Sequence, residues 1–362
     1  MNLKLRSSIS VIDREDNIIE FFKTNTREQI LIKSFDPILK ELIAEMNGEV
    51  TLKQFVEKYN VKEKYDSLEK FTEYLSSKGI LSNVNKESLE NYNNYRRVIH
   101  FLEDYSTSEN HLTQMWTKLI NSKVVIIGLG AVGTWTAINL LQTGVKNIVL
   151  IDNDIVEISN LHRQLGYAEE DIGKPKIEVL KEKLISMNSK CNITCINSLL
   201  DANLLESVNI NDCDLIINCA DKPTVDYTSK LVGEYCMKYN IPHIVGGGYN
   251  LHLSLIGQTI IPYKTACVKC FEKQLEKINV IEPGSVKKLT VKNRKLGSFG
   301  PACAIIASFI GMESVKVLTG CTMPANINRR GEFNIYNMDI EYRNFEKLSD
   351  CEWCGDNGKY NF

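Results

Sequence analysis

An excess of charge of either sign is missing from this sequence. Its 43 Lys and Arg stand against 45 Asp and Glu, a formal net charge of −2, which removes the electrostatic reason to expect broad binding to nucleic acid or to anionic membrane. The first residues, Met1-Asn-Leu-Lys-Leu-Arg6, carry no signal-peptide apolar core. No uninterrupted apolar run approaches the roughly 20 residues of a membrane span, so the expected location is the cytoplasm. Histidine is scarce as well, with 5 residues in 362 showing neither ligand spacing nor a paired acid, and none is assigned a role. Internal repeats and low-complexity tracts are absent. Cysteine is plentiful by contrast: the 11 present are expected as free thiols and metal ligands rather than a disulfide framework.

The composition, 43% hydrophobic and 24% charged over 362 residues, suffices for one large domain plus a small one, each with its own core. Residues 1–85 read as the small unit. Leu3-Lys-Leu-Arg, Ser8-Ile-Ser-Val-Ile, Asn17-Ile-Ile-Glu-Phe-Phe and Gln29-Ile-Leu-Ile-Lys are strand candidates. Three short helices follow, capped at Asp36, at Thr51 and by Tyr65-Asp-Ser, with Gly79 as a stop. This is a winged-helix-like α+β arrangement, suited either to a structural or dimerisation role or to capturing an extended peptide on an edge strand. The polar, Asn-rich tract over 83–96 places the linker, bounded as 86–108, and 109–362 forms the large domain, opened by a helix from Glu109 to Leu119.

That domain is organised around Lys123-Val-Val-Ile-Ile-Gly-Leu-Gly-Ala-Val-Gly133. A buried strand runs into Gly128, Gly130 and Gly133 and then into a helix through Thr134 to Leu141. Unpaired N–H groups and the positive helix end make such a turn an anion site. Asn147-Ile-Val-Leu-Ile-Asp152, a helix from Lys176 to Met187, Asn192-Ile-Thr-Cys-Ile and Asp214-Leu-Ile-Ile-Asn-Cys-Ala-Asp221 continue the alternation. The fold class is therefore α/β, a Rossmann-like mixed sheet with helices on both faces. Ile244-Val-Gly-Gly-Gly-Tyr, Ser254-Leu-Ile-Gly-Gln-Thr-Ile-Ile and Asn334-Ile-Tyr-Asn-Met-Asp-Ile-Glu-Tyr suggest an antiparallel extension of that sheet, and Cys303 to Leu318 a long apolar helix.

Asp152 ends the second strand, where a carboxylate can accept hydrogen bonds from a ribose. A nicotinamide dehydrogenase and an ATP site fit it equally. The cations and amides just beyond it, Asn160, Arg163, Gln164, Lys174 and Lys176, favour a triphosphate. Asp221 is expected at the end of the fourth strand, placed to hold Mg²⁺ or to cap the next helix. Cys267-Val-Lys-Cys270 and Cys351-Glu-Trp-Cys354 supply four thiolates, the donor set of a closed structural Zn²⁺ site that clamps the C-terminal tail to the core; redox-active pairs are the alternative. Cys303, before a helix, is a candidate nucleophile without an activating neighbour. Residues 271–300, with Lys287-Lys288, Lys292, Arg294-Lys295 and Gly284, Gly297 and Gly300, are either a lid or a surface loop.

Taken together, Gly-x-Gly-x-x-Gly, Ile-Asp-Asn-Asp, Ser-Asn-Leu-x-Arg-Gln, Asp-Ile-Gly-Lys-Pro-Lys, Cys-Ala-Asp and the two Cys pairs resemble the ThiF/MoeB-type adenylating enzymes, bacterial relatives of ubiquitin-activating enzymes. The resemblance extends from about residue 94 to the C-terminus, and within the family it points to the branch that matures microcin-type peptides. It implies Asp152 on the ribose, Asn160, Arg163 and Lys176 on the phosphates, Asp221 on Mg²⁺, and a zinc held by the four cysteines. The family's arginine motif appears as Asn94-Tyr95-Arg96-Arg97, implying a homodimer in which Arg97 reaches the partner's ATP. The small unit resembles leader-recognition elements and implies a precursor peptide as partner. The expected function is ATP-dependent adenylation of a carboxylate, that of the C-terminus, of a ribosomally made peptide in natural-product or bacteriocin-like maturation, with release of pyrophosphate. Activation of a ubiquitin-like sulfur carrier and a non-catalytic leader-binding scaffold for a cyclodehydratase stand as alternatives.

Overall fold

The computed structural model describes residues 2–82, 94–250, 253–278 and 297–360. The chain divides into two compact units, Met1–Thr117 and Lys118–Phe362. Most of the Asn-rich tract and the basic run of Lys287, Lys288, Lys292, Arg294 and Lys295 lie outside the described residues.

In the first unit, β1 (Asn2–Lys4) pairs antiparallel with β5 (Asn47–Thr51), a strand that sequence patterning missed. Strands β2 (Ile9–Arg14), β3 (Ile18–Lys23) and β4 (Gln29–Lys33) form a separate antiparallel sheet in that order. Helices α1 (Ile38–Ala44), α2 (Leu52–Lys58) and α3 (Tyr65–Ser77) cover a core centred on Phe21, Leu42, Phe55, Leu68 and Leu75. Thr51 caps α2 reciprocally with Gln54, and the Asp36 carboxylate accepts the Ile38 N–H at 3.1 Å. Helix α4 (Arg96–Glu103) belongs to this unit by hydrogen bonding. Buried Arg6 donates to the carbonyls of Leu81 at 3.1 Å and of Glu103 and Ser106 at 3.0 Å each.

Helix α5 (Glu109–Asn121) runs across the boundary between the units, and the second unit holds a six-stranded sheet in the order β13-β10-β9-β6-β7-β8. Here β6 is Lys123–Ile127, β7 Asn147–Ile151, β8 Asn192–Ile196, β9 Leu215–Asn218, β10 His243–Val245 and β13 Gln258–Ile260. All pairings are parallel except that of β13 with β10. Continuous apolar runs such as Val124–Ile127 suit strands buried on both faces. Val125, Ile127, Val149, Ile151 and Ile216 pack one face against Val232, Tyr235 and Cys236 of α6 (Val225–Tyr239).

Two expectations are corrected. The late antiparallel strands do not all extend the main sheet: β11 (Tyr249–Asn250), β12 (Leu253–Leu255), β14 (Arg329–Asn334) and β15 (Asp339–Asn344) form a four-stranded sheet of their own. Only β13 adds an antiparallel edge, because Gly257 (φ +95) turns the chain between β12 and β13. The run from Asn334 to Tyr342 is not one strand but a hairpin, turned at Met338 with φ +60. The helix Gly300–Thr319 is also long and apolar enough to span a membrane by length and composition, but it is a core helix with 61% of its apolar window buried. Its buried Glu313 accepts the N–H groups of Ala325 and Asn326 at 2.8 Å each and the Thr259 hydroxyl at 3.1 Å.

Replacing Arg6 with Met takes a donor from three carbonyls; that of Glu103 keeps the Ser106 N–H and hydroxyl, while those of Leu81 and Ser106 cost roughly 1–3 kcal/mol for each group left unsatisfied. Hydrogen exchange of residues 96–106 should accelerate at least about tenfold, with exchange in β6 and β7 unchanged.

Candidate active site

The strand order reverses between β6 and β9, so the turns leaving their C-terminal ends diverge and open a crevice. Gly128 makes the divergence possible. Its φ is +87, and a Cβ there would stand 2.6 Å from the Ala220 nitrogen. Gly133, in the first turn of α7 (Ala131–Thr143), is needed for a different reason: its Cβ would lie 2.0 Å from the Gly128 carbonyl oxygen. At Gly130 a Cβ would meet no atom within 4 Å and would project into open space. That is a cradle kept empty for a ligand, beside the free N–H groups of a helix start.

A cavity of about 510 Å³ occupies this crevice. Of the residues singled out in the sequence, Gly128, Gly130, Asp152, Asn160, Arg163, Gln164, Lys176 and Asp221 line it together. Among the described residues, Gly133 and Lys174 do not: the first packs beneath the turn, and the second is exposed and paired with Asp171 at 2.9 Å. Arg97 lies in the other unit, exposed at the start of α4.

Asp152 follows β7 and uses both carboxylate oxygens to hold backbone, accepting the Leu129 N–H at 2.5 Å and the Asp154 N–H at 2.6 Å. The Tyr167 hydroxyl donates to the Leu129 carbonyl at 2.9 Å, so the glycine turn is fastened on both sides. Burial, with Asp152 and Asp154 nearby, pushes that phenol far above its ordinary pKa and keeps it a donor. Asn160, buried, accepts the Glu157 N–H at 3.1 Å, while the Gln164 Oε1 is buried with no hydrogen-bond partner among the described residues. An orphaned acceptor on a cavity wall fits a ligand that brings donors.

Lys176 opens α8 (Lys176–Met187) and is almost wholly buried, its side chain 6% exposed, with Nζ donating to Asp154 Oδ2 at 3.1 Å. Lys222 donates to the other oxygen of Asp154 at 2.6 Å. Burial works to raise the Asp154 carboxyl, but the hydrogen bond from Lys222 and the charge of Lys176 outweigh it and hold the group below the usual carboxylate range. Sequence reasoning missed Asp154, Lys222, Ser198 and the Gly246–Gly248 run that completes the wall. The signals were present in Ile-Asp-Asn-Asp154, in the residue after Asp221, and in three glycines directly after a buried strand.

Asp221 is corrected in position. Strand β9 ends at Asn218, and Asp221 lies in the turn beyond it, exposed on the cavity rim. It does not cap the following helix; the Thr224 hydroxyl does, accepting the Tyr227 N–H at 3.2 Å. No hydrogen bond or ion pair engages the Asp221 carboxylate among the described residues, which leaves it available to a hard cation beside the phosphate cradle. The Cys219 thiol, on the same wall, is pushed up to about 12 by burial, and burial also raises that of Cys303. At Cys303 burial outweighs the Ser298 hydrogen bond and the Arg163 charge, which counts against a thiolate nucleophile there.

The two Cys pairs meet. All four Sγ atoms of Cys267, Cys270, Cys351 and Cys354 are buried within 4.8 Å of one another. The pairs 267–351, 270–354 and 267–270 stand at 3.5, 3.4 and 3.8 Å. A tetrahedron of thiolates about 2.3 Å from a metal has edges of about 3.8 Å, so the cluster fits zinc. The Leu348 N–H donates to Cys270 Sγ at 3.4 Å, the kind of contact that stabilises a bound thiolate.

A parallel sheet whose switch point carries a glycine turn, an adjoining carboxylate and buried cations defines a nucleotide-binding α/β protein. A model of the ThiF family matches residues 104–353, more than half of the chain, and the protein belongs to that family. The sulfur carrier protein ThiS adenylyltransferase of Escherichia coli is 28% identical over 243 residues, 66% of this chain and 88% of that protein. The molybdopterin-synthase adenylyltransferase of E. coli is 28% identical over 244 residues, with the same two shares. The crystal structure of E. coli MccB with ATP shares the fold at a TM-score of 0.75 and 24% identity, covering 98% of this chain and 100% of that one.

Gly130→Ala should keep the parent melting temperature within about 2 °C and lose ATP affinity at least about tenfold, because its methyl occupies ligand space. Gly133→Ala should instead lower the midpoint by several degrees; calorimetry and titration of the two variants read the difference. Cys267→Ser should lose the metal, seen as a fall in zinc per chain by elemental analysis, together with a lower melting temperature.

Proposed function

We propose that this adenylyltransferase activates the C-terminal carboxylate of a ribosomally made peptide held by the first unit. One observation carries the reading. The structural likeness to MccB runs over 98% of the chain, first unit included, while the sequence likeness to the ThiS and molybdopterin-synthase adenylyltransferases covers 66% of it. MccB, a microcin C7 biosynthetic enzyme, has been solved in complex with N-formylated MccA. The first unit has the means to hold an extended peptide: β2 and β4 each pair only with β3 among the described residues, and they expose Val11, Ile12 and Leu31 along open edges.

The chemistry follows from charge. A carboxylate oxygen attacks the α-phosphorus of ATP, and the bond to the β-phosphate's bridging oxygen breaks, releasing pyrophosphate and leaving the acyl adenylate; no proton need move. The obstacle is the approach of anion to anion. Asp152 would accept from the ribose hydroxyls, and the N–H groups after Gly130 would hold the phosphates in line. Arg163 and Lys176 would offset the charge that develops on the departing pyrophosphate. Mg²⁺, held by Asp221, would supply further charge neutralisation between the phosphates. Arg97 would reach the partner's nucleotide in a homodimer, and zinc on the four cysteines would clamp the tail without entering the reaction.

The names of the sequence relatives favour a second reading, activation of a sulfur carrier protein by the same chemistry. ATP–pyrophosphate exchange separates the two. Exchange stimulated by a short peptide encoded beside the gene, and lost on deleting 1–85, is the expected result. Exchange stimulated only by a ThiS-type carrier would overturn the peptide reading in favour of the second, and tight peptide binding without exchange would leave a scaffold. Asp221→Ala should abolish exchange with its melting transition intact.

A further inference from the structure

Lys222 stands out because neither the family's motifs nor the mechanism above uses it. It follows Asp221 in the turn after β9 and lines the nucleotide cavity. Among the described residues its only hydrogen bond is to Asp154 Oδ1, at 2.6 Å. The same carboxylate takes Lys176 on its other oxygen at 3.1 Å, so two ammonium groups share one carboxylate on the cavity wall. The pair is unequal: the Lys176 side chain is 6% exposed and fixed, whereas that of Lys222 is 61% exposed.

Physical chemistry gives the two lysines different freedoms. Moving Lys176 would leave its ammonium buried without a partner. An ion pair as exposed as Lys222–Asp154 is worth little, and a flexible four-carbon stem lets the ammonium turn away at small cost. Asp154 keeps Lys176 when Lys222 leaves, so no buried charge is stranded. A polyphosphate entering beside Gly130 offers Lys222 several charge-assisted acceptors in place of one shared carboxylate. Asp152 and Asp221 also lie close enough to act on the Lys222 charge, which puts the ammonium beside the carboxylate on which the metal reading rests.

We propose that Lys222 is a phosphate-gripping residue that rests on Asp154 in the empty cavity and moves onto the β- and γ-phosphates of ATP when the nucleotide binds. The inference rests on the nucleotide reading of the cavity. Bound to the terminal phosphates, Lys222 contacts the leaving pyrophosphate rather than the adenosine or the α-phosphate, so its effect divides ATP from AMP.

Lys222→Met and Lys222→Arg, titrated calorimetrically with ATP and with AMP in the presence of Mg²⁺ at one fixed salt concentration, test this. Lys222→Met should weaken ATP about tenfold and leave AMP unchanged, and Lys222→Arg should recover most of the ATP affinity because it keeps the charge. The pyrophosphate concentration that half-saturates exchange should rise in the Met variant. ATP affinity equal to the parent's in Lys222→Met would overturn the proposal. So would an equal loss for ATP and AMP, which would mean that the residue only shapes the cavity. A parent protein that binds neither nucleotide would bring down the nucleotide reading itself, and this inference with it.

Discussion

The close approach of two backbone turns at the end of the parallel sheet governs the rest of this protein. The Cys219 N–H donates to the Ile127 carbonyl at 2.7 Å and the Gly128 N–H to the Ile151 carbonyl at 2.9 Å, so three strand ends are knotted where the strand order reverses. Only a residue without Cβ, at φ +87, lets the first turn pass under Ala220, and only glycine at 133 lets the helix start against that turn. Everything chemical is hung from this point. The helix N-terminus, the Asp152 carboxylate and the Asp221 turn all leave it in directions set by the twist and spacing of the sheet.

Around that point the cavity is nearly balanced in charge before any ligand enters. Asp152 is spent on backbone N–H groups and Asp154 on two lysines, while Arg163 donates to the Ser159 carbonyl. For the triphosphate proposed above such a site would be pre-organised, since Arg163 and Lys176 are already held on the cavity wall. The exposed members, Lys222 and Asp221, are the ones left with freedom to respond to what arrives.

The remaining pieces solve problems of size. The first unit builds its core from short helices and two small sheets and depends on Arg6 to tie its strand end to the segment after α4. The C-terminal tail has little regular structure, and its packing gathers around the four cysteines, with Phe271, Phe345, Trp353 and Tyr360 as the surrounding apolar wall. A knuckle of this kind gains stability from a metal where a short tail cannot bury enough surface of its own.

The linear order of residues determined the alternation of strands and helices, the glycine turn, the two cysteine pairs and eight of the cavity's lining residues, because each rests on local signals: apolar runs, turn glycines, C-x2-C spacing and short motifs. It did not determine the pairing of β1 with β5, the separate four-stranded sheet, or the hairpin that reads as one strand from Asn334 to Tyr342. Pairing partners far apart in sequence leave no periodic trace, and strand propensity is the same whichever sheet a segment joins. The site divides the same way. Asp152 and Lys176 are legible from what precedes them, but that Asp154 stands between Lys176 and Lys222 is decided only when the turns after β7 and β9 are brought side by side by β6, the strand that lies between them in the sheet.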